Sequence, residues 1–330
     1  MPIPLSILDL ALTGPGQTAR ESFAASVALA QLAERWGYRR IWYAEHHNIS
    51  AISSSATAVL IAHIASQTNS IRLGAGGIML PNHSPLVIAE QFGTLESLHP
   101  GRIDLGLGRA PGTDQKTLRA LRREPLAADR FPEDVLELQA FFSGESLIPG
   151  VEATPGKGLK VPLYLLGSSL FGAHLAAALG LPYGFASHFA PAALEEAVAV
   201  YRREFRPSRQ LEQPWVIAGV NVIAAETSAS AQTQFRAVKR ARVSTFPGKG
   251  RRFSDEEADV LLASPAGMQL EEMVSCSAVG TGAEVRAWLE RFVVRAQADE
   301  LITVHPSPAI ADRLCSVELL AIVMGQVAAA

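Results

Sequence analysis

Four short stretches of this chain carry groups that could move a proton, grip an anion or admit a flat ligand. Glu45-His46-His47 places two imidazoles beside a carboxylate. Imidazole changes charge near neutral pH, so His46 could hold or pass a proton, and Glu45 could set its tautomer or raise its charge. The plain alternative is a polar cap on a strand end. A metal site is not expected, because adjacent histidines point in different directions on an extended chain and no further His, Asp or Glu set has ligand spacing. Gly106-Leu107-Gly108-Arg109 sets a permanent cation just past a strand end. A guanidinium suits the several oxygens of a phosphate, although an isolated one is commonly a solvated surface charge. Gly167-Ser168-Ser169 adds two hydroxyls and bare amides just before a helix, where anions are favoured. A simple serine N-cap is the alternative there. Gly74-Ala75-Gly76-Gly77 lies inside an apolar strand, where glycine normally weakens the structure. It permits a bulge, unusual dihedrals or the close approach of a flat ligand, or else a bend made for packing. Together these pieces imply a flat, phosphate-bearing cofactor over a common mouth, with His46 near its reactive edge.

The elements that must position these groups alternate along the chain. Strands are predicted at 5–10, 40–44, 71–80, 103–108, 162–166, 182–187, 215–225 and 300–304, most of them followed by a helical pattern. The first helix carries Val27, Leu29, Ala30, Leu32, Ala33 and Trp36 at helical spacing and stops at Gly37. Pro85 suits the first turn of a helix that reaches Leu98. Thr281-Gly282-Ala283-Glu284 has capping-box spacing and should open a helix through Arg295. Two connections are too long for simple crossovers. One follows the fourth strand, with a Gly- and Pro-rich loop at 143–160; the other is a helical insertion at about 228–276. Strand–helix alternation without a clear linker predicts one domain over 1–330. The fold class is α/β: a single (β/α)8 TIM barrel with insertions after strands 4 and 7. In such a barrel the C-terminal strand ends build the active site, and all four stretches fall there. The first strand–helix turn lacks Gly-x-Gly-x-x-Gly, which weighs against a Rossmann domain.

Composition narrows the partners. The 330 residues are 48% hydrophobic and 18% charged, an ordinary globular balance. The net charge is −3 with no basic tract, so neither nucleic acid nor an anionic membrane is an expected partner. No apolar run approaches about 18 residues, so no membrane span is expected. The start, Met1-Pro2-Ile3-Pro4-Leu5, lacks the parts of a signal peptide. Cys276 and Cys315 show no metal spacing and suit a reducing cytoplasm.

The order and spacing of the motifs resemble the bacterial luciferase-like flavin monooxygenase family, along most of the chain. The resemblance is carried by Tyr43-Ala44-Glu45-His46-His47-Asn48, Ile71-Arg72-Leu73-Gly74, Leu80-Pro81-Asn82-His83-Ser84-Pro85 and Ala89-Glu90-Gln91. It continues through Leu98-His99-Pro100-Gly101-Arg102, Gly106-Leu107-Gly108-Arg109, Leu165-Leu166-Gly167-Ser168-Ser169, Ala178-Leu179-Gly180-Leu181-Pro182 and Val279-Gly280-Thr281. The run from Pro182 to Phe189 points to the group with Leu-Gly-Ser-Ser.

The resemblance implies a barrel that binds reduced FMN, reacts it with O2 and oxidises a small organic substrate. Carried over by motif, Arg109, Gly167, Ser168 and Ser169 hold the FMN phosphate. Gly76 and Gly77 lie under the isoalloxazine ring at a non-prolyl cis peptide. His46, oriented by Glu45 or a backbone carbonyl, assists the oxygen chemistry. The luciferases themselves carry a reactive cysteine where this chain has Gly108, and an acidic residue where it has Ser168. Light emission and a long-chain aldehyde substrate are therefore not implied. A separate NAD(P)H:flavin reductase would supply the reduced flavin, since no nicotinamide domain is evident. Related barrels pair through the helices after strands two and three, and 56–64 is apolar almost all round, so a homodimer is expected. Two competing readings stay open: a deazaflavin-dependent hydride-transfer enzyme, which also binds a phosphate, and a non-catalytic flavin-binding protein, which does not need His46.

Overall fold

Alternating apolar runs become parallel strands in the computed structural model, which describes residues 3–14, 16–110, 114–245, 251 and 253–326. The strands are β1 (Leu5–Asp9), β2 (Arg40–Tyr43), β3 (Arg72–Met79), β4 (Ile103–Gly108), β5 (Leu163–Gly167), β6 (Tyr183–Phe185), β7 (Val216–Ala224), β8 (Ser277–Gly280) and β9 (Glu300–Val304). All but β8 close a barrel in the order β1-β2-β3-β4-β5-β6-β7-β9, with β9 pairing back on β1. This is the closed, all-parallel (β/α)8 barrel that the strand–helix alternation predicts.

β8 is a strand that the eight expected from sequence do not include. β7 extends past its barrel neighbour: Ile217 to Asn221 pair with β9, while Asn221 to Ala224 pair with β8. Four residues ending in a glycine, set against a capping box, are too short a run to stand out as a strand.

Helices cover the outside: α1 (Ala19–Arg35), α2 (Thr57–Ala65) and α3 (Pro85–Leu98) follow the first three strands. α4 (Gln115–Ala120) and α5 (Phe131–Ser143) lie between β4 and β5, and α6 (Leu170–Leu179) and α7 (Leu194–Glu204) follow β5 and β6. α8 (Ser228–Thr245), α9 (Asp255–Leu262) and α10 (Pro265–Met273) separate β7 from β8, and α11 (Gly282–Ala296) and α12 (Ile310–Val323) complete the chain order. Local chemistry sets their ends. Thr18 and Glu21 form a capping box on α1, as Thr281 and Glu284 do on α11. Gly37, at φ +70°, takes the left-handed turn that stops α1. Among the described residues, no helix is long and apolar enough to cross a membrane.

Period-two alternation sorts the strand side chains. Ile7, Ile41, Leu73, Leu105 and Leu165 face the helices and are buried. Leu8, Trp42, Tyr164, Ile217 and Ile302 face the barrel interior. Below them the barrel floor is ionic. The Arg40 guanidinium lies 2.8 Å from Asp104 Oδ2 and 2.9 Å from Glu300 Oε1 and donates to the Tyr164 hydroxyl at 2.6 Å. The side chains of Arg40, Asp104 and Glu300 are 1%, 0% and 0% exposed, so this cluster is sealed from water. Trp42 Nε1 and Arg72 Nε also donate to Asp104, both at 3.1 Å, and Ser6 and Trp215 donate to Glu300 at 2.5 and 3.2 Å. Burial alone would disfavour the Arg40 charge; the two carboxylates outweigh it and push its pKa up.

Removing one partner of such a cluster leaves uncompensated buried charge. Arg40→Leu should lower unfolding free energy by about 3–5 kcal/mol, measured by urea denaturation at pH 7. A loss below about 1 kcal/mol would mean that Arg72 and Arg39 neutralise the floor without it.

Candidate functional site

The end of β2 turns the alternation into chemistry. Ala44 follows the inward register of Arg40 and Trp42, and Glu45 follows the outward register of Tyr43. Glu45 is accordingly 1% exposed behind the barrel wall. His47 Nε2 and His83 Nε2 donate to its Oε1 at 2.7 and 2.8 Å, and the Met79 amide donates to Oε2 at 3.0 Å. Burial would raise the pKa of this carboxyl; the hydrogen bond and charge of His83, with His47 and Met79, bring it below the ordinary value. Adjacency suggests Glu45, or a backbone carbonyl, as the group that orients His46; the carboxylate bonds seen here go to His47, His83 and Met79. Glu45 clamps His47 and His83, and ties the end of β2 to the end of β3. The alternation itself was the signal for this, since neighbours on an extended chain face opposite ways.

His46 is half-buried, and its charge bears on His188, just past β6. The His188 ring packs on the backbone of β7: a Cβ on Gly219 would lie 2.4 Å from its Nδ1. Burial, then the charges of Arg242 and His46, pull the His188 pKa down to about 3, so the ring is neutral at physiological pH. His83 and His188 both stood in motifs singled out by sequence, but neither was assigned a role.

Arg109 and the two serines meet on one rim. The Arg109 guanidinium stacks 4.1 Å over the ring of Phe171, the second residue of α6. It donates to Ala128 O at 3.3 Å and lies 3.6 Å from Asp129, a solvent-exposed partner. Ser169 is the N-cap of α6, but its hydroxyl does not cap the helix. α6 therefore presents its first amides beside Ser168 and Ser169, with a cation above its first turn. That is the composition of a phosphate site, and these residues fit a flavin phosphate.

Gly76 and Gly77 are joined by a cis peptide bond, and the β3–β4 register shifts between Ala75 and Ile78. A Cβ on Gly77 would stand 2.6 Å from Gly106 O, and one on Gly76 would stand 2.6 Å from Leu8 Cδ1. Barrel packing alone thus demands glycine at both positions. Cys276 and Cys315 are free thiols, and the described residues contain no His, Cys, Asp and Glu grouping suited to a metal ion.

Comparison with known proteins gives this site a context. A family model described as luciferase-like monooxygenase matches residues 3–300. A luciferase-like monooxygenase of Escherichia coli (strain K12) is 48% identical over 303 residues, which cover 91% of this chain and 90% of that protein. The crystal structure of apo-MsnO8 superimposes with a TM-score of 0.91 at 34% identity, covering 99% of this chain and 100% of that one. The oxygenating constituent of 3,6-diketocamphane monooxygenase from Pseudomonas putida, solved with FMN, shares the fold at 18% identity, with a TM-score of 0.74 and 99% coverage of each chain.

The Glu45 clamp has a pH signature. Its folded pKa is lowered, so its stabilisation is present above the unfolded carboxyl value of about 4.3 and is lost as pH falls through the folded value. Glu45→Gln should cost about 1–3 kcal/mol at pH 7, and the gap to the parent should close below about pH 4. Thermal melts of both proteins from pH 3 to pH 7 read this directly; a gap that stays constant with pH would remove the clamp.

Proposed function

The chain belongs to the luciferase-like monooxygenase family and is an enzyme of that class; on that premise we propose that it is the oxygenating component of a two-component system using reduced FMN, O2 and a small organic substrate. The observation that carries the cofactor is the rim where Arg109 stacks on Phe171 above the uncapped start of α6. Two hydroxyls, helix amides and a cation converge on one anion there. The 3,6-diketocamphane monooxygenase constituent binds FMN on the same fold.

Bound and reduced, FMN supplies the electron pair with which O2 is activated. The protein's part is placement, proton control and exclusion of water. Arg109, Gly167, Ser168 and Ser169 fix the phosphate, which leaves the ring system to lie toward the bare backbone of Gly76 and Gly77. His46, facing the neutral His188, holds or delivers a proton at an imidazole nitrogen on the opposite side of the mouth. Glu45 acts one step back, fixing the β2 end on which His46 sits. The apolar wall of Trp42, Ala44, Ile302 and Val304 keeps water from the chemistry. An NAD(P)H:flavin reductase provides the reduced flavin, and the free thiols of Cys276 and Cys315 suit a reducing cytoplasm.

We also propose a homodimer through α2 and α3. Val59 on α2 is 71% exposed, and Val87 and Leu98 on α3 are 43% and 63% exposed, an apolar strip that a second copy would cover. Light scattering at micromolar concentration should give twice the chain mass; a monomer would remove this assembly.

Arg109→Ala should weaken FMN binding by about 1.5–3 kcal/mol, read by flavin fluorescence quenching; unchanged affinity would displace the phosphate site. His46→Ala should bind FMN nearly as the parent does. It should lose about 10²–10⁴-fold in productive turnover and release more hydrogen peroxide per flavin oxidised. Normal coupling in a well-folded His46→Ala protein would leave His46 as a strand cap. Oxygen consumption by the parent with reduced FMN separates this reading from deazaflavin hydride transfer.

A further inference from the structure

α8, in the segment between β7 and β8, sends one cation to the barrel. Arg242 Nη2 donates to Asn221 Oδ1 at 3.1 Å. Asn221 lies on the inward register of β7, with Ile217 and Gly219, and is 1% exposed. Its amide nitrogen donates to His188 O at 2.7 Å and to Ser277 Oγ at 3.2 Å, so the asparagine locks Arg242 to the segment that carries His188. Two polar atoms in this group are buried without a hydrogen bond: Arg242 Nη1 and His188 Nδ1.

The charge is also without a counterion. No carboxylate among the described residues lies within ion-pair distance of Arg242, and the residues outside the described set include no Asp or Glu. Burial lowers its pKa to about 10, which still leaves it cationic at neutral pH. A guanidinium with a buried, unbonded nitrogen and no counterion is costly, and its cost is offset when an anion arrives. This arginine is separate from the phosphate rim. Arg109 reaches α6 after β5, whereas Arg242 reaches β7 and neighbours His188 and, through it, His46.

We infer that Arg242 is the anion-binding group of the substrate pocket and that the substrate is an organic acid whose carboxylate pairs with Nη1. Asn221 fixes the guanidinium through Oδ1 and, through its amide nitrogen, holds the segment that carries His188. The carboxylate anchored there holds the oxidised carbon or heteroatom toward His46. This deepens the monooxygenase reading and rests on it for the word substrate. The anion arm runs without flavin, so the two can fail separately.

The test begins without any ligand. A structural arginine predicts a lower melting temperature in Arg242→Met; an uncompensated ligand-binding charge predicts an equal or higher one. Parent, Arg242→Met and Arg242→Lys are then titrated with straight-chain monocarboxylates, benzoate and N-acetylglycine, each paired with its neutral amide, by thermal shift. The acids should stabilise the parent, the amides should not, the Met variant should bind at least tenfold more weakly, and the Lys variant should recover part of the loss. FMN affinity by fluorescence quenching should stay within twofold in both variants. A destabilised Arg242→Met, equal response to acids and amides, no response to any acid, acid binding that survives in Arg242→Met, or a matching fall in FMN affinity would each overturn the inference.

Discussion

Everything above the barrel floor depends on one buried cation held between two buried carboxylates. Arg40 on β2, Asp104 on β4 and Glu300 on β9 sit in the water-free base of the barrel, and Arg40 also reaches Tyr164 on β5. Taking three charges out of water costs several kcal/mol per ion, and their attraction returns that only when geometry is good. The net stabilisation over an apolar plug is therefore small. The consequence for register is large. A one-residue slip of any of these strands turns its charged side chain outward against the apolar helices and its apolar neighbour inward. With Ile41 beside Arg40 and Leu105 beside Asp104, every such slip strands a charge.

A fixed floor fixes the mouth. The same strands that carry Arg40, Asp104 and Tyr164 near their starts lead to His46, Arg109 and Ser168, at about 3.3 Å of rise per residue. A strand locked at its base delivers its last residues to one height and one face. The loops beyond can then vary without moving the groups that carry chemistry, which is the ordinary division of labour in barrels of this kind.

This also explains what could be read from the chain alone. The closed barrel was legible because strand–helix alternation and the helix signals at Gly37, Pro85 and Thr281 are local, and the structure uses them where they stand. Arg109 and the two serines were legible as types at strand ends; the stacking of Arg109 on Phe171, in the first turn of the helix those serines precede, was not, because an intervening side chain has no signature in spacing. β8 was missed because its pairing depends on the overhang of β7, a tertiary fact. The clamp of Glu45 on His47 and His83 was not foreseen from adjacency, although the alternation that sorts Ile41 from Trp42 also sends Glu45 and His46 to opposite faces. Arg242 lay wholly beyond reach: a helical pattern tells which face of α8 is apolar, not which strand end that helix roofs.

The glycines show that one motif can answer to two causes. Gly76 and Gly77 were read as room for a flat ring or as a bend made for packing; Gly106 O, Leu166 Cδ1, Leu8 Cδ1 and Trp42 Cβ crowd the place of a side chain there, so packing suffices to require glycine whether or not a ring also lies against it. A requirement imposed by packing carries no information about a ligand. The polar atoms of the mouth discriminate better. At the floor, Arg40 is met by two carboxylates and a phenol. At the mouth, Arg242 Nη1 and His188 Nδ1 are buried with nothing to meet them. Buried atoms without a hydrogen bond also occur away from the mouth, at Arg40 Nε and Arg313 Nε among others, so the distinction lies in charge: two carboxylates match Arg40, and no carboxylate among the described residues lies within ion-pair distance of Arg242. The two ends of one barrel thus differ in charge balance: the floor is neutralised from within, while the mouth carries a cation with no counterion among the described residues.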